Sequence, residues 1–347
     1  MSFSERILSW YSSHKRALPW RETKNPYIIW LSEIILQQTR VEQGLPYFLR
    51  FLEAYPNVTK FAEAQESEIL RLWQGLGYYS RARNMHKASK QVLSLHQGEF
   101  PVDYQDLIAL PGVGEYTAAA ISSFSSNQQF AVLDGNVFRV LARYFGVEEP
   151  INSSQGKKLF AKLANEMLDR QHPGAYNQAI MDFGALQCKP KNPNCAECVL
   201  RLDCVAYQNE LVDQLPQKIK SKKVKSRYFH YFIIEKNGEI LMSQRAEGDI
   251  WANLFEFPMI ESNSELPLYE LTQSKEYQDI FGEVMPTQIK GQVKQILSHQ
   301  HIYARFYSIE ANNVQLGKKT HWNYCLLENL DKLAKHKLIS SFMEHYF

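Results

Sequence analysis

The sequence predicts a two-part fold, an all-helical region followed by a smaller α+β domain. Three observations carry this prediction. From residue 5 to residue 205, amphipathic stretches of 10 to 18 residues alternate with short breaks rich in Pro, Gly and Asn. From Tyr228 onward the apolar runs become short and rich in aromatic and aliphatic residues, with a hairpin signal at Lys236-Asn237-Gly238. The first region ends in four clustered cysteines, and a basic stretch without acids precedes the second.

Taken in order, the breaks fall at Asn25-Pro26, Tyr55-Pro56-Asn57, Gly98 to Pro101, Pro111-Gly112 and Pro150 to Asn152. They leave predicted helices at 3–12, 27–39, 42–54, 60–66, 68–74, 79–94, 103–109, 115–124, 135–145, 154–169 and 174–186. Leu215 to Arg227 holds Lys218, Lys220, Lys222, Lys223, Lys225 and Arg227, and reads as a solvated linker or as a contact to a phosphate backbone. Strands are predicted at 228–235, 239–243, 300–309 and 321–327, with a short helix at 329–335. The polar, broken stretch 261–290 reads as loops.

The 347 residues suffice for two cores of ordinary size, and 45% apolar with 22% charged residues excludes a collagen-like or wholly disordered chain. A formal charge of +2 neither demands nor excludes nucleic acid, because a basic face can hide inside a near-neutral total. No apolar run of signal-peptide or membrane-spanning length is present, so a soluble cytoplasmic protein is expected. Cys325, in Trp322-Asn323-Tyr324-Cys325-Leu326-Leu327, is expected to be a buried thiol.

Cys188, Cys195, Cys198 and Cys204 are spaced C-x6-C-x2-C-x5-C. A Cys-x2-Cys step lets one turn present two sulfurs to one centre, so a metal site is expected, with structural zinc and an iron–sulfur centre both open. Four cysteine ligands leave no position for substrate, so the expected role is structural. Inert core cysteines are the plain alternative.

Leu110-Pro111-Gly112-Val113-Gly114 separates two predicted helices. Glycines permit the tight turn, and the next helix begins with free N–H groups, an arrangement that can grip a phosphate backbone without reading bases. An ordinary helix–helix turn is the alternative. Thr117-Ala118-Ala119-Ala120, small enough for close helix packing, favours the clamp.

Two acids stand in apolar company. Glu33 lies in Ile28-Ile29-Trp30-Leu31-Ser32-Glu33-Ile34-Ile35-Leu36, a helix apolar over most of its circumference. Burial raises a carboxyl pKa and suits a general acid near neutrality, although a structural Glu paired to a distant Arg fits as well. Asp134 follows Phe130-Ala131-Val132-Leu133 and opens the helix at Gly135, so it is expected to be an N-cap held ionised by backbone donors. One carboxyl tuned to hold a proton and another tuned to stay anionic form the pair needed to break a glycosidic bond through an oxocarbenium-like state.

With these pieces stand Leu18-Pro19-Trp20-Arg21, Asn25-Pro26-Tyr27, Leu36-Gln37-Gln38-Thr39, Gly75-Leu76-Gly77-Tyr78-Tyr79 and Leu133-Asp134-Gly135-Asn136-Val137. Together they resemble the adenine DNA glycosylases of the MutY type, in the helix-hairpin-helix superfamily that includes endonuclease III. The resemblance implies an all-α helix-hairpin-helix glycosylase with an iron–sulfur cluster loop, plus a C-terminal α+β Nudix-like domain. It divides the chain into an iron–sulfur-bearing subdomain of 1–24 and 132–207, a six-helix bundle of 25–131 with the hairpin, a basic linker of 208–227 and a lesion-recognition domain of 228–347. It implies one [4Fe-4S] cluster on the four cysteines. The partner implied is double-stranded DNA with an 8-oxoguanine:adenine mispair, gripped at Pro111, Gly112, Val113 and Gly114. A monomer is expected, cytoplasmic and, in a bacterium, nucleoid-associated.

By position, the resemblance makes Glu33 the proton donor to adenine N7 and an activator of water. Asp134 stabilises the sugar cation, with Tyr116 and Asn136 lining the sugar site. Leu18, Trp20, Arg21 and Gln178 line the adenine pocket, and Gln38 and Tyr78 enter the duplex beside the opposing 8-oxoguanine. Endonuclease III-like relatives carry a lysine two residues after the hairpin, whose amine forms a Schiff base with the sugar. Tyr116 holds that position here, and a phenol cannot form an imine, so a monofunctional glycosylase is expected. Trp251 to Pro258 resembles the Nudix-like domain, and Leu297-Ser298-His299 stands where the family has Phe-Ser-His, so Ser298 and His299 are expected to meet the lesion. No G-x5-E-x7-R-E-x2-E-E pattern follows, so nucleotide hydrolysis is not expected. The rivals are a bifunctional pyrimidine-lesion glycosylase, disfavoured by Tyr116, and a non-enzymatic hairpin DNA-binding protein, which would not need a buried Glu33.

Overall fold

The computed structural model describes residues 1–219, 224–311 and 322–346. The chain forms two compact units, one of residues 1–64 and 84–221, the other of residues 65–83 and 222–347.

The first unit is helical. Ser2 and Glu5 close a capping box that starts the helix Phe3–His14. Asn25 caps Pro26–Leu36, with Pro26 preset at the first helical position. Eight of its eleven residues are buried, from Tyr27 to Ile35, which is why an apolar pattern runs almost all round it. The helix predicted to reach 39 stops at Leu36, and Gln38 turns the backbone to a φ of 55°. Trp30, fully buried, packs edge-on to Phe61 at 5.8 Å and against Phe100 at 5.0 Å. A side chain of this size contributes about 3 kcal/mol on burial. A second core gathers Phe3, Ile7 and Trp10 with Val137, Leu141, Phe160, Tyr176 and Phe183. It fixes three helices, Gly135–Phe145, Ser154–Met167 and Pro173–Leu186.

Two close approaches set the positions of later importance. A Cβ on Gly174 would lie 2.4 Å from the Ser123 carbonyl, so Pro173–Leu186 packs tightly on the helix Glu115–Ser126. Buried Asn177 then ties down the approach to Asp134. Its amide donates to Ser123 Oγ at 2.9 Å and the Phe130 carbonyl at 2.8 Å, and its oxygen accepts the Val132 N–H at 3.2 Å.

The cysteine segment corrects the expected cofactor. Cys188, Cys195, Cys198 and Cys204 are free, half-buried thiols. Among the described residues, no group of three or more His, Cys, Asp or Glu side chains is arranged to hold a metal ion. Among the described residues the expected iron–sulfur loop, [4Fe-4S] cluster or other metal centre is therefore not formed, and the architecture is a helical region and a Nudix-like domain without it. The thiols pack instead. Cys188, Cys198 and Cys204 lie against the apolar core, and Arg143 Nη1 donates to Cys188 Sγ at 3.4 Å and to the Lys189 carbonyl at 2.7 Å. The sulfurs are near enough to feel one another. Burial pushes the Cys198 thiol up to about 11, with the neighbouring sulfurs adding to the shift. Metal ligation needs the thiolate, which burial disfavours. Spacing gave the right residues a common neighbourhood, not a ligand set.

Among the described residues the second unit contains a seven-stranded sheet. Its strands are β1 (Lys225–Lys236), β2 (Glu239–Gln244), β3 (Phe255–Glu256), β4 (Met259–Ser262), β5 (Thr287–Ile296), β6 (Gln300–Glu310) and β7 (Trp322–Leu326). The main order is β3-β2-β1-β6-β5, with β4 also on β1 and β7 also on β2. β1 and β6 run parallel from Lys225↔Gln300 to Glu235↔Glu310. Phe229, Tyr231 and Ile233 face one core, roofed by Leu338, Ile339 and Phe342 of the helix Lys337–Tyr346. Phe232 and Ile234 face another, with Leu271, Tyr277 and Phe281. Burial on both faces explains the unbroken apolar run of β1.

Several expectations fail here. The stretch 261–290 is not loops: it holds the helices Leu268–Gln273 and Lys275–Phe281 and the start of β5. Each helix has at most seven residues, too few to display a period. β5 is a polar edge strand interrupted by two register shifts. The predicted helix at 329–335 is a 3₁₀ turn over Leu327–Lys332. Cys325 is half-buried, not buried. The basic stretch is docked at both ends. Leu215 is buried, with its carbonyl bound by Arg143, and Arg227 is buried within β1 between Asp249 and Glu261. Lys220, Lys222 and Lys223 lie outside the described residues.

Candidate active site

In the helical unit a cleft of about 890 Å³ is lined by residues from five chain segments, including Glu33, Tyr116, Asp134 and Asn136. Glu33 sits near the end of Pro26–Leu36, where the sequence leaves it 9% exposed among apolar neighbours. Tyr116, in the first turn of the helix after the hairpin, donates its hydroxyl to Glu33 Oε2 at 2.8 Å. Burial raises Glu33 to about 7, Tyr116 and Arg21 oppose the rise, and Asp134 adds to it. The Tyr116 phenol is itself held well above its ordinary value by burial and by the two carboxyls, so it remains a donor.

Asp134 is the N-cap of Gly135–Phe145. Its Oδ1 accepts the Asn136 and Val137 N–H groups at 2.9 and 2.8 Å, and its Oδ2 accepts Asn136 Nδ2 at 2.8 Å. Burial nevertheless raises its pKa, against those donors and Arg139. The cap was legible; its burial was not. Asn136 is fixed from behind, because Arg139 Nη2 donates to its Oδ1 at 2.9 Å and to the Gly184 carbonyl at 2.7 Å. A Cβ on Gly184 would lie 2.6 Å from Asn136 Cβ.

Leu18, Trp20, Arg21 and Gln178 line the same cleft. Trp20 packs edge-on to Phe48 at 5.0 Å, and Gln178 Oε1 accepts the Tyr11 hydroxyl at 3.0 Å. Sequence reasoning missed the group that holds Arg21. Asp182 is fully buried and takes both Arg21 nitrogens, one at 2.7 Å, and Arg16 Nε at 2.8 Å. These guanidiniums hold Asp182 below its ordinary value, against burial. A signal was available: Asp182 is an acid in the apolar run Ala179-Ile180-Met181-Asp182-Phe183, the pattern that marked Glu33. Arg139 and Asn177 carried no comparable local signal.

Not every expected residue joins this cleft. Gly114 and Gln38 line it; Pro111, Gly112 and Val113 do not. Gly112 has a φ of 78°, and a Cβ there would meet Asn84 Cβ at 2.7 Å, so glycine is required twice over. Gly114 precedes Glu115–Ser126 without a side-chain cap. Tyr78, Ser298 and His299 belong to the other unit, where they share a hollow of about 420 Å³ with Trp251 and Leu297. Tyr78 has a φ of 48° and is 44% exposed. Ser298 Oγ and His299 Nδ1 are 3.0 Å apart.

Residues 31–166 match the family model described as HhH-GPD superfamily base excision DNA repair protein, and residues 230–345 match a NUDIX domain. An adenine DNA glycosylase of Buchnera aphidicola subsp. Baizongia pistaciae is 36% identical over 92% of this chain and 90% of its own. The Mus musculus adenine DNA glycosylase is 30% identical over 89% of this chain and 70% of its own. Among solved structures, a thermostable thymine-DNA glycosylase aligns with a TM-score of 0.56 at 29% identity, covering 60% of this chain and 95% of that one.

Proposed function

The chain belongs to the adenine DNA glycosylases of the helix-hairpin-helix base excision repair superfamily, and from that premise we propose that it hydrolyses adenine from mispairs with 8-oxoguanine, leaving an abasic site. It is a DNA base excision repair glycosylase, and its helix-hairpin-helix region binds DNA. Among the described residues no helix is long and apolar enough to cross a membrane.

The observation that carries the proposal is the pairing of Glu33, poised near neutrality and bonded to Tyr116, with a capped Asp134 in one cleft. Adenine must leave the duplex stack to reach it. Protonated Glu33 gives its proton to adenine N7. The bond between C1′ and N9 then breaks, and its electron pair stays with the base. The ionised Asp134 carboxylate faces the developing oxocarbenium ion, where a fixed charge in a dry site is worth most. Water adds to C1′ and returns a proton to Glu33, which restores the acid. Tyr116 and Asn136 orient the two carboxyls, and Arg21, Gln178, Leu18 and Trp20 bound the base.

The hairpin Pro111–Gly114 grips one backbone strand through the uncapped helix start, Gln38 and Tyr78 enter the duplex, and Ser298 and His299 meet the oxidised base. The chain acts as a monomer and without lyase activity, since Tyr116 offers no amine. Labelled duplexes carrying single mispairs, sampled with and without alkali, test the assignment. Adenine release opposite 8-oxoguanine, with strand scission only after alkali, is expected. High-yield borohydride trapping, or no release from that duplex, would overturn it.

A further inference from the structure

The hollow of Tyr78, Ser298 and His299 has a wall that the proposed chemistry does not use. That wall is Asp249, Ile250 and Trp251, the start of a loop that runs to Asn253. Trp251 holds a φ of 59°, which so bulky a residue keeps only when its surroundings over-determine it, and Asn253 follows at 64°.

The surroundings are a ladder of charge with a buried centre. Arg245 is its fork. Its Nε donates to the Ile250 carbonyl at 3.0 Å, Nη2 to Asp249 at 2.6 Å and Nη1 to Glu256 Oε1 at 2.8 Å. Its backbone carbonyl accepts the Asn253 N–H at 2.9 Å. Glu256 is the fixed end, 4% exposed. Its second oxygen takes the Tyr231 hydroxyl at 2.9 Å and His336 Nε2 at 3.2 Å. His336, fully buried, lies flat under Trp251 with ring centroids 3.8 Å apart. At the far end Arg227 joins Asp249 to Glu261.

A buried ion network is a poor way to gain stability, because apolar packing of equal volume does as well. This unit already has two apolar cores. What the ladder adds is direction, since one planar guanidinium, anchored on Glu256, sets Asp249 and Ile250 of the wall at once.

We propose that Arg245 and Glu256 are positioning residues that fix the wall of this hollow and thereby set the preference for 8-oxoguanine over guanine opposite adenine. The proposal rests on the reading of the hollow given above. Neither residue lines the hollow; both act through Asp249, Ile250 and Trp251.

The test uses the full chain and two variants, Glu256→Gln and Arg245→Lys. Lysine keeps the charge and loses the fork, so it covers the case in which Glu256→Gln folds poorly. Single-turnover adenine release is measured on duplexes with adenine opposite 8-oxoguanine and opposite guanine, alongside amide exchange across 249–253. The ratio of the two rates should fall about tenfold, the value of a lost buried charged hydrogen bond, with release opposite guanine held within about twofold. Exchange across the loop should quicken. An unchanged ratio in Arg245→Lys, or equal losses on both duplexes with unchanged exchange, overturns the proposal. If the unsubstituted chain does not discriminate between the duplexes, the reading of the hollow fails first. If it discriminates and Arg245→Lys discriminates equally, the ladder alone fails.

Discussion

The two units hold carboxyl groups in opposite ways. In the helical cleft, Glu33 accepts one phenol hydroxyl among the described residues, and burial lifts it to about 7. In the sheet unit, Asp249 takes two guanidiniums and is held down to about 2, chiefly by Arg227. The first is left short of partners and can exchange a proton near neutrality. The second is satisfied and can only hold a position. Burial with few donors leaves Glu33 reactive; Asp249, 40% exposed and paired to two guanidiniums, is held ionised.

Glu33→Gln breaks the comparison most sharply, because it removes the exchangeable proton and keeps the shape. Adenine release should fall at least about a thousandfold, with duplex affinity kept within a few fold. A loss of less than tenfold in single-turnover release would remove Glu33 from the chemistry. Asp134→Asn comes next. The amide can still cap the helix but presents no charge to the sugar, so release should fall about a hundredfold while thermal stability changes little. Equal activity in the variant would make Asp134 a cap and nothing more.

Both acids were legible before any coordinates, for different reasons. Glu33 interrupts a helix whose other residues are nearly all apolar, and Asp134 stands where a helix must start. Their convergence was not legible. It depends on Gly174 letting two helices touch and on Asn177 pinning residues 130–132, and neither leaves a pattern in its own neighbourhood. The fold divides similarly. Long helices such as Gly135–Phe145 show their period and their caps. The short helices within 261–290 and the polar edge strand β5 do not, because a turn or two and a half-solvated strand carry too few apolar residues to register. The cysteine spacing misled for a related reason: proximity along the chain does not fix where sulfurs point or whether burial lets them ionise.

Tyr116→Phe sharpens the comparison rather than breaking it. The phenol lowers Glu33 by donating to its ionised form, so its loss should raise the Glu33 pKa further. Release by the parent chain should decline as pH rises through about 7, when Glu33 gives up its proton. In the variant that decline should move upward by about half a pH unit to one unit. A downward move, or none, would mean that the bond does not favour the carboxylate. Asp182→Asn should then slow release by about tenfold, through a looser Arg21, and lower the unfolding free energy by about 3 kcal/mol because two guanidiniums lose a buried counter-charge.

The smallest effect expected is that of Asp249→Asn, and its value lies in its sign. Asp249 is depressed from its ordinary value, so the stability it contributes is present above about pH 4, the unfolded value, and is lost as pH falls towards 2. Its side chain is 40% exposed, so solvent screening limits that contribution to about 1 kcal/mol. Unfolding free energies of parent and variant from urea titration should therefore differ by this small amount at pH 7 and converge as pH falls from about 4 towards 2. Glu33 has the opposite dependence, since its useful form is the protonated one and is lost on raising the pH. A difference between parent and Asp249→Asn that widened on acidification would mean that the carboxyl is not held ionised by Arg227 and Arg245, and the contrast between a satisfied acid and a poised one would no longer separate the two units.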